Sequence, residues 1–326
     1  MTCLEAARSC LGCGEKNLQH IRTYRTKSAR GRELFGGSVL SRCRACDLIQ
    51  VDPLPGADAL NAYYTHDYRT GGLYGSDTND ATTFPRDNLF YFNRGESIAE
   101  LVAQELAHRP REILDVGAGF GHVLHAFGQR FPEARRLAIE FSDVCVRHLR
   151  DIGAEAVAEP MEQVLPRLDR QFDVIILSHV FEHLLQPGKA LQNLAGRLAP
   201  GGLLYIEVPN IPRDALTRYL DHQWAPRYDE PHITFFDQES LRDMLERSGL
   251  QVVRCDTAGP LYREVSRLRF SLPPFRQTVL RLIPKPAFQL LRASIATKAV
   301  RVQEREEEFF EYGGRRLWVR SAARRR

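Results

Sequence analysis

A glycine-rich turn between an apolar strand and a helix constrains the fold of this chain more than any other feature. It lies in the stretch REILDVGAGFGHVLHAF at residues 111–127, where Ile113, Leu114 and Val116 form a short apolar strand and a helical pattern follows the last glycine. Glycines at such a turn let a ligand approach the backbone closely, and the first N–H groups of the helix point at that ligand. We therefore predict a ligand-binding loop at Gly117, Gly119 and Gly121.

The spacing of these glycines separates the loop from a dinucleotide fingerprint. A G-x-G-x-x-G fingerprint needs its third glycine at position 122, where this chain has His122. The pattern here is D-x-G-x-G-x-G, which begins at Asp115 and resembles motif I of the class I S-adenosylmethionine-dependent methyltransferases. The resemblance implies that the loop wraps the methionine end of S-adenosylmethionine, with Asp115 and the three glycines in contact with this cofactor.

The next predicted strand adds a second candidate for cofactor contact. The stretch RRLAIEFS carries Glu140 at its predicted strand end. An acidic residue about twenty positions after a glycine loop can accept hydrogen bonds from both ribose hydroxyls. We predict that Glu140 and the neighbouring Phe141 contact the cofactor. The alternative for Glu140 is a surface carboxylate at a strand end.

Strand and helix patterns alternate along the following residues. The further predicted strands are EAVA, FDVIILSHVF, LLYIEVPN and QVVRCDT, with helical patterns among them. The second of these is continuously apolar, as a buried parallel strand requires. The alternation predicts an α/β fold with a doubly wound, Rossmann-like sheet. Ligands bind such sheets at the carboxyl ends of the strands, so we expect Ser178 and Pro209 in the same crevice as Gly117 and Glu140.

Two C-x-x-C pairs near the start of the chain predict a metal site. They are Cys10 with Cys13, and Cys43 with Cys46. Two such turns supply the four thiolates of a structural zinc ion (Zn²⁺), a closed site that does no chemistry. The alternative is four unrelated buried cysteines. The residues between the pairs resemble a small β element of the zinc-ribbon type. The N-terminus lacks a secretory pattern, so we expect reduced thiols and a cytoplasmic protein.

Three features of the sequence together resemble one bacterial group within the class I methyltransferases. They are the cysteine pairs, the stretch SHVFEHLLQPGKALQNLAGRLAPGGLLYIEVPN and the later PHITFF. The combination resembles the deoxysugar C-methyltransferases and related enzymes of polysaccharide and natural-product gene clusters, over residues 8–256. It implies cofactor contact at Ser178 and His179. The chain departs from those C-methyltransferases after the sixth strand, because they continue into a domain as large as the core and here only residues 257–326 follow.

The segment RYDEPHITFF after the fifth strand supplies the candidates for a general base. It contains Tyr228, Glu230 and His232, and histidine is the natural base near neutral pH. In the C-methyltransferases that the chain resembles, a Glu-His pair here belongs to the base machinery, although this chain has one residue inserted between the two. The alternative for His232 is a structural role in the loop before the next helix. Glu182 and His183 are interpreted as a hydrogen-bonded pair that holds a turn.

Changes in composition divide the chain into four predicted parts. They are a zinc-binding ribbon-like region, an aromatic-rich loop or linker, the cofactor-binding core, and a helical C-terminal lid or insertion with a final strand, at residues 1–56, 57–93, 94–256 and 257–326. The last part mixes basic and apolar residues at helical spacing. This composition suits either a lid packed on the sheet or peripheral contact with an anionic membrane.

The sequence therefore predicts an enzyme that transfers a methyl group from S-adenosylmethionine to a sugar, nucleotide-sugar or glycan acceptor. The alternatives are an O- or N-methyltransferase of another small metabolite or of RNA, and a non-catalytic module that binds zinc and S-adenosylmethionine. A net charge of +4 gives no general electrostatic case for nucleic acid, so no such partner is expected. Nothing in the sequence predicts the acceptor atom or the oligomeric state.

Overall fold

The computed structural model describes the chain at residues 4–5, 9–24, 29–64, 89–211, 232–258 and 318–325. Two of the predicted catalytic residues, Tyr228 and Glu230, lie outside these residues. So do most of the aromatic-rich loop and the basic helical part of the C-terminal region. The four predicted domain limits stay predictions.

The described N-terminal residues form short strands and two short helices. Their bounds are β1 (Leu4–Glu5), β2 (Leu18–Thr23), α1 (Ala29–Phe35), β3 (Val39–Cys43), β4 (Ile49–Asp52), β5 (Leu54–Pro55) and α2 (Ala57–Ala62). Strands β2 and β3 run antiparallel between the two cysteine pairs. Sequence patterns do not predict α1, because seven residues are too few for a helical period to stand out. Burial of Leu34 and Phe35 stabilises it.

Strands and helices alternate after residue 89. Their bounds are α3 (Leu89–Glu105), β6 (Glu112–Val116), α4 (His122–Arg130), β7 (Arg135–Ile139), α5 (Asp143–Asp151), β8 (Glu155–Val157), α6 (Met161–Arg167), β9 (Phe172–Ser178), α7 (Pro187–Arg197), β10 (Leu198–Pro209), β11 (Thr234–Phe235), α8 (Gln238–Arg247), β12 (Leu250–Ala258) and β13 (Trp318–Arg325). A single 3₁₀ turn at Phe181–His183 follows β9. Among the described residues, no helix is long and apolar enough to cross a bilayer.

The central sheet has the strand order β12-β13-β10-β9-β6-β7-β8. From β10 to β8 every neighbouring pair is parallel, whereas β13 is antiparallel to both β10 and β12. This topology confirms the predicted α/β, Rossmann-like fold with a parallel central sheet. The carboxyl ends of β6, β7, β9 and β10 meet at one edge, which is where such sheets bind ligands.

Helices cover both faces of this sheet because the side chains of each strand alternate between them. In β9, Ile175 and Leu177 pack in the cluster that contains residues of α6, α7 and α8. Val174 and Ile176 pack in the opposite cluster, with residues of α3, α4 and α5. Both faces of the central strands are buried, which explains why their sequences are continuously apolar rather than alternating.

A second sheet joins the N-terminal residues to the core. Its order is β11-β4-β3-β2, and β11 pairs antiparallel with β4 through Thr234 opposite Gln50 and Phe235 opposite Ile49. Strand β11 comes from the PHITFF stretch, which follows β10 in the chain. This stretch therefore does not form a free loop at the edge of the central sheet. It completes the N-terminal sheet while Asn210 forms a bridge with Phe236.

Candidate active site and cysteine cluster

The loop between β6 and α4 holds all three predicted glycines in the left-handed region of backbone conformation. Their φ angles are 69° at Gly117, 55° at Gly119 and 81° at Gly121, where residues with a side chain are strained. Space is also limited, because a Cβ added to Gly117 would stand 2.3 Å from Cγ2 of Val180. Glycine is therefore required here both by conformation and by close packing.

Glu140 lies against this loop and is 7% exposed, so it is not a surface carboxylate. Its Oε2 accepts a hydrogen bond from the N–H of Gly119 at 2.8 Å, and its Oε1 accepts one from the N–H of Ser142 at 3.0 Å. The adjacent Phe141 is half-buried. The structure thus brings Glu140 to the predicted cofactor loop, while its contact with a ribose, and that of Phe141, stay predictions.

Asp115 places an unsatisfied carboxylate beneath the loop. The residue is 2% exposed, and its Oδ2 has no hydrogen-bond partner among the described residues. Burial, followed by the charge of Glu140, raises the pKa of this carboxyl well above its usual range. A buried polar atom without a partner costs free energy. The position therefore suits a ligand with a cationic or hydrogen-bond-donating end, such as the ammonium group of a bound amino-acid moiety.

A buried polar network closes the site at the ends of β9 and β10. Arg94 of α3 pairs with Glu207, its Nε lying 2.6 Å from Oε1, and donates a hydrogen bond to Oγ of Ser178. The hydroxyl of Tyr205 donates to Oε2 of Glu207 at 2.8 Å. Ser178 was predicted from the sequence, but the other three residues were not. The available signal was Glu207 itself, since a carboxylate inside an apolar strand needs a buried partner.

His179 follows β9 directly, as predicted from the sequence, and has a φ of 58°. Its side chain is 22% exposed and lies between two carboxylates. Nδ1 is 3.4 Å from Oε1 of Glu182, and Nε2 is 3.7 Å from Oε1 of Glu207. A non-glycine residue with this φ is uncommon and marks a constrained position, here at the ligand-binding edge of the sheet.

Glu182 also meets two further histidines. Ligand atoms of Glu182, His183 and His232 all lie within 4.8 Å of one another, and all three residues are buried. The rings of His183 and His232 are 4.9 Å apart. Since Glu182 Oε1 and His183 Nε2 are 3.9 Å apart, the expected simple hydrogen-bonded pair is replaced by a larger group. We call His179, Glu182, His183 and His232 the histidine cluster.

His232, the described member of the predicted base segment, enters this cluster from the start of β11. Its carbonyl oxygen accepts a hydrogen bond from the hydroxyl of Tyr24 at 3.1 Å. The residue is 4% exposed. A role as general base stays a prediction, and Tyr228 and Glu230 lie outside the described residues.

The four predicted cysteine ligands come together at one point. The Sγ atoms of Cys10 and Cys46 are 3.5 Å apart, and those of Cys13 and Cys43 are 3.6 Å apart. All four sulfurs lie within 4.8 Å of one another. Tetrahedral zinc with bonds of about 2.3 Å separates its sulfurs by about 3.8 Å. The spacing and the donor set therefore fit a zinc ion.

Backbone and side-chain hydrogen bonds hold this cysteine cluster in place. Gln50 of β4 is fully buried, and its Oε1 accepts from the N–H of Leu11 at 2.8 Å. The N–H of Gly12 donates to the sulfur of Cys10 at 3.3 Å. The bond with the Cys10 thiol, together with burial, raises the pKa of Cys46 above its usual value. A bound cation would relieve that cost, because it favours thiolates.

Comparison with known proteins identifies the family of the core. A family model described as a methyltransferase domain matches residues 90–254, just over half of the chain. The chain belongs to this methyltransferase family. The matched residues include the glycine loop, Glu140 and the ends of β9 and β10. The cysteine cluster lies outside the match.

Curated relatives are similar over this same core and differ in what they act on. The chain is 30% identical to trans-aconitate 2-methyltransferase of Mycobacterium sp. (strain KMS), over 42% of this chain and 55% of the relative. It is 30% identical to tRNA U34 carboxymethyltransferase of Psychrobacter arcticus, over 44% and 45%. It is 26% identical to malonyl-[acyl-carrier protein] O-methyltransferase of Methylococcus capsulatus, over 50% and 59%. The chain spans about half the length of these relatives.

Two solved structures are similar to the chain at low sequence identity. The plantazolicin methyltransferase BamL, in complex with a substrate analogue and SAH, has a TM-score of 0.49 and 15% identity, covering 81% of this chain and 93% of BamL. A methyltransferase of Haloferax volcanii in complex with the Trm112 activator has a TM-score of 0.48 and 16% identity, covering 74% and 92%.

The buried pair of Arg94 and Glu207 should contribute strongly to stability. We expect Arg94→Met to lower the free energy of unfolding by about 3 kcal/mol, because it leaves a buried carboxylate without its cation. Arg30→Met is the matched control: Arg30 pairs with Glu33 in the open, with side-chain exposures of 46% and 61%, so its loss should cost less than about 1 kcal/mol. Urea denaturation measures both, and equal losses would contradict the interpretation.

Proposed function

We propose that this protein is an S-adenosylmethionine-dependent methyltransferase that acts on a sugar, nucleotide-sugar or glycan acceptor. The observation that carries the proposal is the loop of three left-handed glycines between Asp115, whose buried Oδ2 lacks a partner, and Glu140. Membership of the methyltransferase family supports it. The choice of acceptor rests on the resemblance to deoxysugar C-methyltransferases in the cysteine pairs and the PHITFF stretch.

The loop offers each part of the cofactor a suitable group. Asp115 would bind the ammonium of the methionine end, which supplies the missing partner of its carboxylate. Gly117 and Gly119 would let that end lie directly on the backbone. Glu140 would exchange its hydrogen bond with the Gly119 N–H for the two ribose hydroxyls. Ser178 and His179 line the same edge of the sheet, where the methyl group is transferred.

The acceptor side requires positioning and removal of a proton. Bound S-adenosylmethionine supplies a methyl group that its sulfonium already activates. The protein therefore has to hold the acceptor in line with the methyl group. A hydroxyl or carbon acceptor also needs a base within hydrogen-bond reach. The histidine cluster lies at the carboxyl edge of the sheet, and we assign the proton to an imidazole nitrogen of His232, with Tyr228 and Glu230 as further candidates in its segment.

Cofactor binding is the first test of this proposal. Wild-type protein should bind S-adenosylmethionine and S-adenosylhomocysteine with micromolar affinity in calorimetry. Gly119→Val should abolish binding, because its side chain is strained at a φ of 55° and fills the space of the methionine end. Gly196→Val, at an exposed helical position with open space around it, is the matched control. Absence of binding by the wild type would refute the proposed function.

The assignment of His232 is tested with the acceptor that mass spectrometry identifies among candidate nucleotide-sugars. His232→Ala should lower turnover by about 10²- to 10⁴-fold, the usual contribution of a positioned base. Cofactor affinity should stay nearly unchanged. His20→Ala on the exposed β2 serves as control. If His232→Ala keeps most of its activity, the base is Tyr228 or Glu230, or the acceptor is an amine that needs none.

We also propose that the cysteine cluster holds one structural zinc ion. Cys10, Cys13, Cys43 and Cys46 would fill all four positions, so the ion takes no part in methyl transfer. The ion would instead stabilise the fold around His232, because β3 and β4 connect the cysteine cluster to β11. Loss of the ion should therefore disturb the fold of the N-terminal sheet before it disturbs the glycine loop.

Metal analysis of the purified protein should give one zinc per chain. Cys43→Ser should lose the ion and lower the melting temperature, because binding of a structural metal contributes directly to folding. Cys255→Ser, which removes a cysteine outside the cluster, should keep the ion. A strong chelator should lower the melting temperature of the wild type in the same way. Protein without metal, or Cys43→Ser with wild-type stability, would rule the site out.

A further inference from the structure

The histidine cluster contains a single carboxylate at its centre, and neither the family match nor the base assignment gives it a role. Glu182 is 1% exposed. Its Oε1 lies 3.4 Å from Nδ1 of His179 and 3.9 Å from Nε2 of His183. One of its carboxylate oxygens also lies within 4.8 Å of a ring nitrogen of His232. Three imidazoles from two separate segments of the chain therefore converge on one buried carboxylate.

Backbone contacts fix this carboxylate relative to His232. Glu182 belongs to the 3₁₀ turn that follows β9, and its carbonyl oxygen accepts hydrogen bonds from the N–H of Ile233 at 2.8 Å and from Oγ1 of Thr234 at 3.4 Å. These two residues come directly after His232. These hydrogen bonds therefore hold the side chains of Glu182 and His232 close to each other.

A buried carboxylate of this kind influences the histidines around it in two ways. It accepts the N–H of an imidazole and so selects one tautomer and one ring orientation. It also stabilises the imidazolium that forms when the ring takes up a proton. Both effects are needed by a base that must accept a proton at one nitrogen. A protonated imidazole at these distances would also offset the cost of burying the carboxylate.

The cluster reaches from the interior to the ligand-binding edge. His179 has the most exposed side chain of the four, at 22%, against 9% for His183 and 1% for Glu182. Two further charged groups lie next to the cluster: Glu207, 3.7 Å from His179, and Arg94, which pairs with Glu207. Rings of Tyr64 and Phe235 contact His183 and His232 from the N-terminal side.

We propose that Glu182 is a positioning residue that orients the imidazoles of His179 and His232, so that His232 can take a proton from the acceptor. This inference rests on the proposed function and deepens it. It goes beyond the assignment of His232 as base, because it names the group on which that base depends. It also replaces the interpretation of Glu182 as part of a turn-holding pair.

Nuclear magnetic resonance of the histidine side chains in the full chain provides the first test, since it needs neither cofactor nor acceptor. In the wild type, at least one imidazole N–H of the cluster should be protected from exchange with water and give a visible proton signal, unlike that of the exposed His20. In Glu182→Gln, this protected N–H signal should be lost, because the amide replaces the carboxylate that accepts it. Glu133→Gln at an exposed position is the matched control.

Kinetics separates positioning from mere structural support. Glu182→Gln should lower turnover by about 10- to 100-fold, with the KM for the acceptor and the affinity for S-adenosylmethionine changed less than threefold. Glu182→Asp, which keeps the charge, should recover part of the turnover. Equal losses in both variants, or a matching loss of cofactor affinity, would indicate a structural role and overturn the inference.

Further results would overturn either this inference or the proposed function. If Glu182→Gln does not fold, the wild type alone provides the test. Absence of its exchange-protected N–H signals overturns the inference. Unchanged exchange-protected N–H signals in a folded Glu182→Gln do the same, while leaving the proposed function intact. Failure of the wild type to bind S-adenosylmethionine instead overturns the proposed function. The inference is also overturned if the wild type binds a second zinc or manganese ion per chain and Glu182→Gln loses this ion while the cysteine cluster keeps its own. The histidine cluster would then be a metal site.

Discussion

The backbone of Ile233 joins the two parts of the molecule on which the candidate site depends. Its N–H donates to the carbonyl of Glu182 at 2.8 Å, and its carbonyl accepts from the N–H of Val51 at 2.9 Å. The residue is fully buried, so both bonds form away from competing water. One peptide segment is therefore fixed at once to the turn after β9 and to the N-terminal sheet, and it carries His232 into the cluster.

This joint gives the cysteine cluster a part in the site although it lies outside the methyltransferase match. Cys10, Cys43 and Leu48 pack in the same hydrophobic cluster as the core residues Phe181 and Phe236. The ring of Phe236 stacks on that of Phe181 at 5.4 Å, directly beside the turn that holds Glu182. The proposed zinc ion would therefore stabilise the sheet that carries His232, although it would take no part in the chemistry itself.

Local patterns account for what could be predicted from the sequence. The shape of the glycine loop depends on neighbouring residues alone, because the strand β6, the left-handed glycines and the start of α4 lie within eleven positions. The continuous apolar strands predicted the parallel sheet in the same way. The C-x-x-C pairs predicted that four thiols would meet, and the Sγ distances agree with this. Arg94 and Gln50 escaped prediction because their partners, Glu207 and Leu11, lie 113 and 39 positions away in the chain.

By itself, the sequence determined the type of fold, the position of the cofactor loop, and the residues of the cysteine cluster. These follow from hydrophobic period, glycine spacing and paired cysteines, which act over short distances along the chain. Only the tertiary structure decided that β11 completes the N-terminal sheet and that Glu182 gathers three histidines. Thr234 and Gln50 pair across 184 positions of the chain. Such pairing leaves no periodic pattern in the sequence, because every exposed strand edge offers the same backbone hydrogen bonds. Packing of the side chains therefore selects the partner strand.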